Sequence, residues 1–164
     1  MAIIEVKKVN KSYNKKQVLK DINITFEENK IYWLLGRNGA GKTTLLNLIT
    51  DRAVLDSGEI TVNGENAYEN DNALEKIYFM TERTLYPQDF KVKDIFKWTK
   101  EFYNNFDNGY ALELAKKFSL NINTKIKNLS TGYNSICKII TTLASNAEVL
   151  IFDEPVLGLD ANHR

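Results

Sequence analysis

The sequence is poor in cysteine, in net charge and in long apolar runs, and each shortage excludes a class of protein. Its 164 residues contain one cysteine, Cys137, so an intramolecular disulfide is excluded. Lys and Arg number 22 against 21 Asp and Glu, and this balance gives no support to nucleic acid binding. The N-terminus MAIIEVKK has no secretory signal pattern, and no apolar run approaches the roughly 20 residues of a membrane span. We therefore expect a soluble, cytoplasmic chain that can still meet a membrane through a partner.

The spacing of apolar residues predicts several strands. Apolar and polar residues alternate over residues 3–9 and in DINITFE, as in half-buried antiparallel strands. The run IYWLLG, residues 31–36, is continuously apolar and predicts a strand buried on both faces. Three further segments predict strands: SGEITVNGE, KIYFMTE and EVLIFDEP. The length suits one compact domain with a real core.

Helical spacing appears in TTLLNLITDRA and dominates the middle of the sequence. In VKDIFKWTKEFY, one predicted face carries Ile95, Trp98 and Phe102. Such an aromatic stripe is more typical of core than of a docking surface for a partner, and both interpretations stay open. YALELAKKFSL predicts a second helix, and SICKIITTLAS predicts an apolar helix in which Cys137 is a small buried side chain.

The stretch LLGRNGAGKTT carries the first chemical motif. Gly36, Gly41, Lys42 and Thr43 meet the pattern G-x-x-x-x-G-K-[ST], between a predicted strand and a predicted helix. The glycines let backbone N–H groups face one concavity, and the helix N-terminus adds positive potential. Lys42 would reach the terminal phosphates of a nucleotide, and the Thr43 hydroxyl would coordinate Mg²⁺. A tight turn without function would need neither the lysine nor the hydroxyl.

A pair of acids ends the last predicted strand. Asp153 and Glu154 follow the apolar run VLIF, so in a parallel sheet both would emerge at the carboxyl edge. Asp153 is expected to hold Mg²⁺, and Glu154 is expected to orient and polarise the attacking water. A general base contributes roughly a hundred- to ten-thousandfold in rate. The two motifs together indicate a P-loop nucleotidase.

The segment LSTGY, residues 129–133, narrows the class because it lies between the glycine loop and the acidic strand. This order resembles the nucleotide-binding domain of ABC transporters, with its LSGGQ-type signature before the Walker B strand. The resemblance runs from Ile3 to Asp160 and includes KSYNKKQVLKDINITFEENKIYWLLGRNGAGKTTLLNLI. The sequence is most similar to the Ytr-type ATPases of Gram-positive bacteria, including the phenol-soluble modulin exporter ATPases.

The resemblance implies a role for each matching residue. Tyr13 would stack on adenine, while Lys42 and Glu154 would serve catalysis. Ser130 and Gly132 would touch the γ-phosphate bound by a second subunit, and Asp160 would lie in the D-loop LGLD that crosses this interface. The ATP-binding set implied within the Walker A loop is Gly36, Asn38, Gly39, Ala40, Gly41, Lys42, Thr43 and Thr44. The Mg²⁺ set implied is Thr43, Asp153 and Glu82.

The sequence departs from the family pattern at three places. Glu82 stands where the family has the Q-loop glutamine, which puts the usual coupling contact to a membrane subunit in doubt. Tyr133 replaces the glutamine of LSGGQ. His163 follows Asp160 too closely to be the switch histidine, so we expect the chain to stop before the switch-histidine strand. That strand would lie between the Walker A and Walker B strands, which predicts a weak or inactive fragment.

The resemblance therefore implies an α/β fold with a P-loop NTPase core sheet, an antiparallel β subdomain and a small α-helical subdomain. The β and P-loop core would comprise residues 1–85 and 143–164, and the helical subdomain residues 86–142. The implied function is the ATP-binding subunit of a transporter, hydrolysing ATP at a dimer interface to drive transport through separate permease subunits, with export as the favoured direction. Such a subunit lies on the inner face of the cell membrane. Two alternatives stay open: a soluble ABC-type ATPase acting on ribosomes or DNA, and an ATP-binding interaction module without turnover.

Overall fold

The computed structural model describes residues 1–83 and 85–155. The chain packs as two units, the first comprising residues 1–76 and the second beginning at Ile77. Each unit has its own sheet. The boundaries at residues 85 and 143 proposed from sequence for the two subdomains stay predictions.

The first unit is built on an antiparallel sheet with the strand order β2-β1-β3-β4. Its strands are β1 (Ala2–Tyr13), β2 (Lys16–Glu27), β3 (Ser57–Val62) and β4 (Glu65–Asn66). Its helices are α1 (Lys42–Ile49) and the single turn α2 (Asp71–Leu74). Alternation in the sequence produces the sheet's inner face, because Ile4, Val6 and Val9 of β1 are almost fully buried. The predicted half-buried strands therefore form where the alternation is strongest.

The run at residues 31–36 differs from its prediction. Ile31, Trp33 and Leu35 are 88%, 83% and 86% exposed, and the run is not a strand. A strand forms only where its N–H and C=O groups meet those of a neighbouring strand. Within the described ranges, the sheets contain β1 to β6 and leave this run unpaired. The prediction of a doubly buried strand is wrong here. An apolar run favours burial, but it forms a strand only if a neighbouring strand is available to pair with it.

The described part of the second unit contains a parallel pair of strands and three α-helices. Strand β5 (Ile77–Met80) pairs in parallel with β6 (Val149–Phe152), with Ile77 opposite Val149 and Met80 opposite Phe152. The helices are α3 (Val92–Phe102), α4 (Asn108–Lys117) and α5 (Thr131–Ala144), and a 3₁₀ turn precedes α5 at Ile126–Asn128. All three helices pack around one apolar cluster, to which α5 contributes Ile136, Cys137 and Ile140.

Cys137 is a buried free thiol, as the apolar pattern predicts. Burial raises the pKa of this thiol to about 12. Since the thiolate is the reactive form, the folded chain keeps Cys137 chemically inert. Its contribution is packing.

The buried face of α3 is not the one that the aromatic stripe suggests. Val92, Ile95 and Phe96 are at most 1% exposed, whereas Trp98 and Phe102 are 41% and 66% exposed. The two exposed rings stack edge to face at 5.5 Å between centroids. Helical spacing places Trp98 and Phe102 at the edge of the buried face, so the interpretation of the stripe as core is wrong for these two.

Replacing Phe96 tests where the core of the second unit lies. Phe96→Ala is expected to lower the free energy of unfolding by about 3–5 kcal/mol, because it empties a fully buried site beside Phe106. Phe102→Ala, the same change on the exposed side of the same helix, is expected to cost less than about 1 kcal/mol. Urea unfolding followed by circular dichroism measures both. Equal losses for the two variants would contradict the packing of α3.

Candidate functional site

The phosphate-loop motif folds into a compact turn closed by its own lysine. The Lys42 Nζ donates hydrogen bonds to the carbonyl oxygens of Gly36 at 2.8 Å and Arg37 at 3.2 Å. Within the loop, the N–H of Ala40 donates to the Arg37 carbonyl at 3.1 Å. The ammonium therefore lies against the loop's concave side, where it would meet an anion bound in the loop.

Gly41 joins the loop to α1 in a conformation and a space that favour glycine. Its φ is +91°, in the left-handed region. A Cβ at this position would lie 2.7 Å from Cδ2 of Leu19 and 3.2 Å from the carbonyl oxygen of Val18. Strand β2 therefore supports the loop directly, and the requirement for glycine comes from this close approach as well as from the backbone.

The N-terminus of α1 is open to an anion. No side chain caps this helix, and its first turn carries no acidic residue. The first N–H groups of a helix have no partner within the helix, and they carry the positive end of its dipole. With the Lys42 ammonium beside them, these N–H groups fit a phosphate group. The Thr43 side chain is exposed at the same turn, and a hydroxyl is a suitable oxygen ligand for Mg²⁺.

Tyr13 lies at the end of the first hairpin. It pairs with Lys16 across a two-residue turn in which Asn14 and Lys15 both have positive φ, as type I′ hairpins require. Its ring is 45% exposed, and the Nζ of Lys11 lies 5.1 Å from the ring centroid. A ring presented in this way at the surface of the first unit is available for stacking.

Asp56 holds the strand that leads to Tyr13. Its carboxylate accepts a hydrogen bond from the Nζ of Lys11 at 3.0 Å and one from the N–H of Ser12 at 2.7 Å. The hydrogen bond from Lys11 is the main reason that the pKa of Asp56 lies below its ordinary value. Sequence reasoning missed this contact, because it joins residues that are far apart along the chain.

The parallel pairing of β5 and β6 brings two predicted site residues to one edge. Asp153 follows β6, and its N–H donates to the carbonyl of Met80, the last residue of β5, at 2.9 Å. Glu82 lies two residues beyond Met80, at the same carboxyl edge. Asp153 is 8% exposed and the Glu82 side chain is exposed. The edge thus presents one buried and one accessible carboxylate.

Glu154 has the backbone conformation of a constrained position. Its side chain is exposed, and its φ is +51°, which few residues other than glycine adopt. The following residue is Pro155, which disfavours helical conformations at the residue before it. Backbone strain of this kind costs about 1–3 kcal/mol and is concentrated at functional sites.

The segment after β5 is fixed by Lys138, a residue that sequence reasoning did not single out. The Lys138 Nζ donates to the carbonyl oxygens of Thr81 at 3.0 Å and Glu82 at 2.6 Å. Lys138 is 8% exposed, and desolvation lowers the pKa of its ammonium, an effect that the nearby Glu82 carboxylate partly offsets. The only signal in the sequence is one lysine inside the otherwise apolar stretch SICKII.

The signature segment forms the start of α5. Ser130 is the N-cap residue, and its Oγ accepts a hydrogen bond from the N–H of Tyr133 at 3.2 Å. Gly132 lies in the first turn of the helix. The side chain of Tyr133 packs against the core of the second unit, so at this position the aromatic residue contributes to packing.

The predicted site residues divide between the two units. Tyr13 and the loop from Gly36 to Thr44 belong to the first unit. Glu82, Ser130, Gly132, Asp153 and Glu154 belong to the second. Within the described ranges, no three His, Cys, Asp or Glu side chains form a metal-binding group. Asp160, the D-loop at residues 157–160 and His163 lie outside the described residues.

Substituting Gly41 tests the close approach of β2 to the loop. Gly41→Ala is expected to destabilise the first unit by about 2–4 kcal/mol, since it adds a steric clash to the cost of a left-handed alanine. Gly64→Ala is the control, because Gly64 has a similar φ of +79° with no atom within 4 Å of the added Cβ. Its cost should be about 1 kcal/mol. Urea unfolding would contradict the packing at Gly41 if the two variants lost equal stability.

Comparisons with known proteins show what the whole chain is similar to. A family model described as ABC transporter matches residues 19–157. The chain is 32% identical over 159 residues to the ABC transporter ATP-binding protein YtrB of Bacillus subtilis, covering 97% of this chain and 54% of that protein. It is also 32% identical to the ribose import ATP-binding protein RbsA of Lacticaseibacillus paracasei, covering 95% and 34%. The chain thus spans about half the length of YtrB, or less in the case of RbsA.

Solved structures show the same fold. A putative ABC transporter ATP-binding protein from Pyrococcus furiosus superposes with a TM-score of 0.83 at 28% identity, covering 97% of this chain and 78% of that one. The ATP-binding subunit of another ABC transporter gives a TM-score of 0.86 at 22% identity, covering 97% and 69%. Among the described residues, no helix has the length and apolarity to cross a membrane. The family match, the curated relatives and the phosphate loop lead to one conclusion: the chain belongs to the ABC transporter ATP-binding family.

Proposed function

We propose that this chain is the ATP-binding and ATP-hydrolysing part of a transporter subunit. The observation that carries the proposal is the phosphate loop, in which the Lys42 ammonium bonds to the loop's own carbonyl oxygens and the helix that begins at Lys42 has no side-chain cap. Both groups stabilise negative charge. A turn that only connected two elements of the fold would need neither of them.

The loop would bind the phosphates of ATP with little rearrangement. Lys42 already lies at the loop, held by two carbonyl oxygens, and would exchange these contacts for the terminal phosphates. The N–H groups of Gly39 and Gly41 and those of the first turn of α1 would surround the remaining oxygens, and the N–H of Ala40 would exchange its hydrogen bond to the Arg37 carbonyl for one of them. Asn38 and Thr44 flank this set. Tyr13 would stack on the adenine, a contact worth about 1–3 kcal/mol by analogy with other base stacking.

Hydrolysis would draw on the carboxyl edge of β5 and β6. Thr43 and Asp153 would hold Mg²⁺, which neutralises charge on the phosphates, and Glu82 would contribute an oxygen from the same edge as Asp153. Glu154 would orient the attacking water and accept its proton. Its position supports this assignment, because Glu154 directly follows Asp153 at the carboxyl edge of β6 and its side chain is exposed there.

We further propose that the active unit is a dimer on the inner face of the cell membrane. Ser130 and Gly132 would contact the γ-phosphate held by the second subunit, and permease subunits would carry the substrate. Relatives include a protein named for ribose import, so family membership leaves the direction of transport open. The resemblance of the sequence to the Ytr-type ATPases is what favours export of peptides or other amphipathic compounds.

The exposed run at residues 31–36 supports a further point about activity. These residues lead directly into the phosphate loop, and the described sheets give them no partner strand. The loop itself is compact, but the unpaired segment before it would have to be ordered before the loop could be held against the rest of the ATP site, and that ordering costs free energy. We therefore propose that this chain alone turns over ATP slowly. Light scattering determines whether the chain is a monomer, and an ATPase assay measures its rate of turnover. A monomer that hydrolysed ATP as fast as a longer version of the protein would contradict the proposal.

Two substitutions separate the phosphate contact from the adenine contact. Lys42→Ala is expected to weaken binding of both ATP and tripolyphosphate at least tenfold, because it removes the phosphate-facing charge. Tyr13→Ala is expected to weaken ATP binding about tenfold and leave tripolyphosphate binding unchanged, because tripolyphosphate has no base. Isothermal titration calorimetry with Mg²⁺ measures all four affinities. Lys8→Ala, at an exposed position on β1, is the control.

Unchanged ATP affinity in Lys42→Ala would overturn the assignment of the loop. If Tyr13→Ala weakened both ligands equally, Tyr13 would support the fold of the hairpin and would not stack on adenine.

Replacing Glu154 tests the assigned base. In the complete protein with its membrane subunits, Glu154→Gln is expected to lower the rate of ATP hydrolysis at least about a hundredfold while ATP still binds, because an amide cannot accept the proton. Glu148→Gln is the matched control, since Glu148 is an exposed acid at the opposite end of β6. Phosphate release measures turnover, and a filter-binding assay measures bound ATP. Wild-type turnover in Glu154→Gln would assign the base to another group.

A further inference from the structure

The segment that follows β5 has an unusual set of hydrogen bonds. Its three consecutive carbonyl groups, those of Thr81, Glu82 and Arg83, all accept hydrogen bonds from side chains. The Lys138 Nζ serves the first two, at 3.0 and 2.6 Å, and the Thr81 Oγ1 donates to the third at 2.7 Å. A hydrogen bond from a charged donor is worth more than a neutral one, so Lys138 is the stronger of the two anchors.

The lysine is placed to act as an anchor. It is 8% exposed, on a helix whose neighbouring residues Cys137 and Ile140 are fully buried. An ammonium this deep is costly to hold without hydrogen bonds, so the two carbonyl contacts account for its presence there. A mobile lysine on the surface would have to give up side-chain conformational entropy to form these two hydrogen bonds. The Lys138 side chain is buried and has already lost that entropy on folding.

The helix that carries Lys138 also begins at the signature segment. Ser130 caps α5, and Lys138 lies eight residues later, about 12 Å along the helix axis. α5 is a continuous helix of 14 residues with eight of them buried, so Ser130 and Lys138 are joined by unbroken helical hydrogen bonding. A displacement of the end that carries Ser130 would therefore be felt at the backbone of Thr81 and Glu82.

We propose that Lys138 is a positioning residue that ties the Glu82 segment to the signature helix α5. Glu82 then keeps its place relative to Asp153 at the carboxyl edge only while α5 holds the carbonyls of Thr81 and Glu82. A change at Ser130, such as contact with the nucleotide of a second subunit, reaches Glu82 through this tie. The inference rests on the proposed roles of Ser130 and Glu82.

Limited trypsin digestion tests the tie at a single peptide bond. Arg83 is exposed and lies next to Glu82, so trypsin cleavage after Arg83 reports on how firmly this segment is held. Lys138→Met keeps the length of the side chain and removes its donors. It is expected to raise the rate of cleavage after Arg83 about tenfold, which corresponds to the loss of hydrogen bonds to a charged group. Cleavage after Lys117, at the end of α4, should keep its wild-type rate.

Two further variants complete the test. Lys138→Arg keeps the charge and the donors and is expected to restore a rate close to that of the wild type. Lys97→Met removes an exposed lysine of α3 and should leave both cuts unchanged. Mass spectrometry of the fragments identifies each cut in the full chain.

Equal acceleration after Arg83 and Lys117 in Lys138→Met would show that Lys138 stabilises the whole unit, and would overturn the proposal. An unchanged rate after Arg83 would overturn it as well. Digestion requires no ATP turnover, so a wild-type protein that failed to hydrolyse ATP would contradict the proposed function and leave the digestion result standing.

Discussion

The parallel pairing of β5 and β6 is the constraint on which the second unit depends. Parallel strands share one carboxyl edge, so chain segments 72 residues apart emerge together there, with the N–H of Asp153 bonded to the carbonyl of Met80. Because the strands end at this edge, the next carbonyl groups need new donors. The Lys138 ammonium, on α5, donates to two of these carbonyl groups. The strand pairing thus explains both why the acids meet at this edge and why a buried donor is needed beside them.

The first unit holds its glycine loop through local contacts. The lysine that would meet phosphate bonds to carbonyl groups of the same loop. The support from β2 is also close in sequence, since Val18 and Leu19 lie little more than twenty residues before Gly41. The geometry of the loop therefore depends on few distant contacts.

This difference explains how much the sequence could predict. The phosphate loop, the helix that begins at Lys42 and the acidic pair after β6 are all encoded in short contiguous patterns. The family assignment is confirmed, and most strands and helices form where the periodicity places them. The contacts of Lys138 join residues 57 and 56 positions apart, which no local pattern records. The run at residues 31–36 failed as a strand prediction for a related reason, since burial depends on a partner that the run itself does not specify.

The depth of Cys137 has a practical consequence. With its pKa raised to about 12 and its side chain fully buried, the chain presents no reactive thiol at the described surface. For maleimide or disulfide chemistry the native protein therefore behaves as a cysteine-free background. A single cysteine introduced at an exposed position can carry a fluorophore or spin label without prior removal of the natural one, and distances between two such labels can be measured in the otherwise native chain.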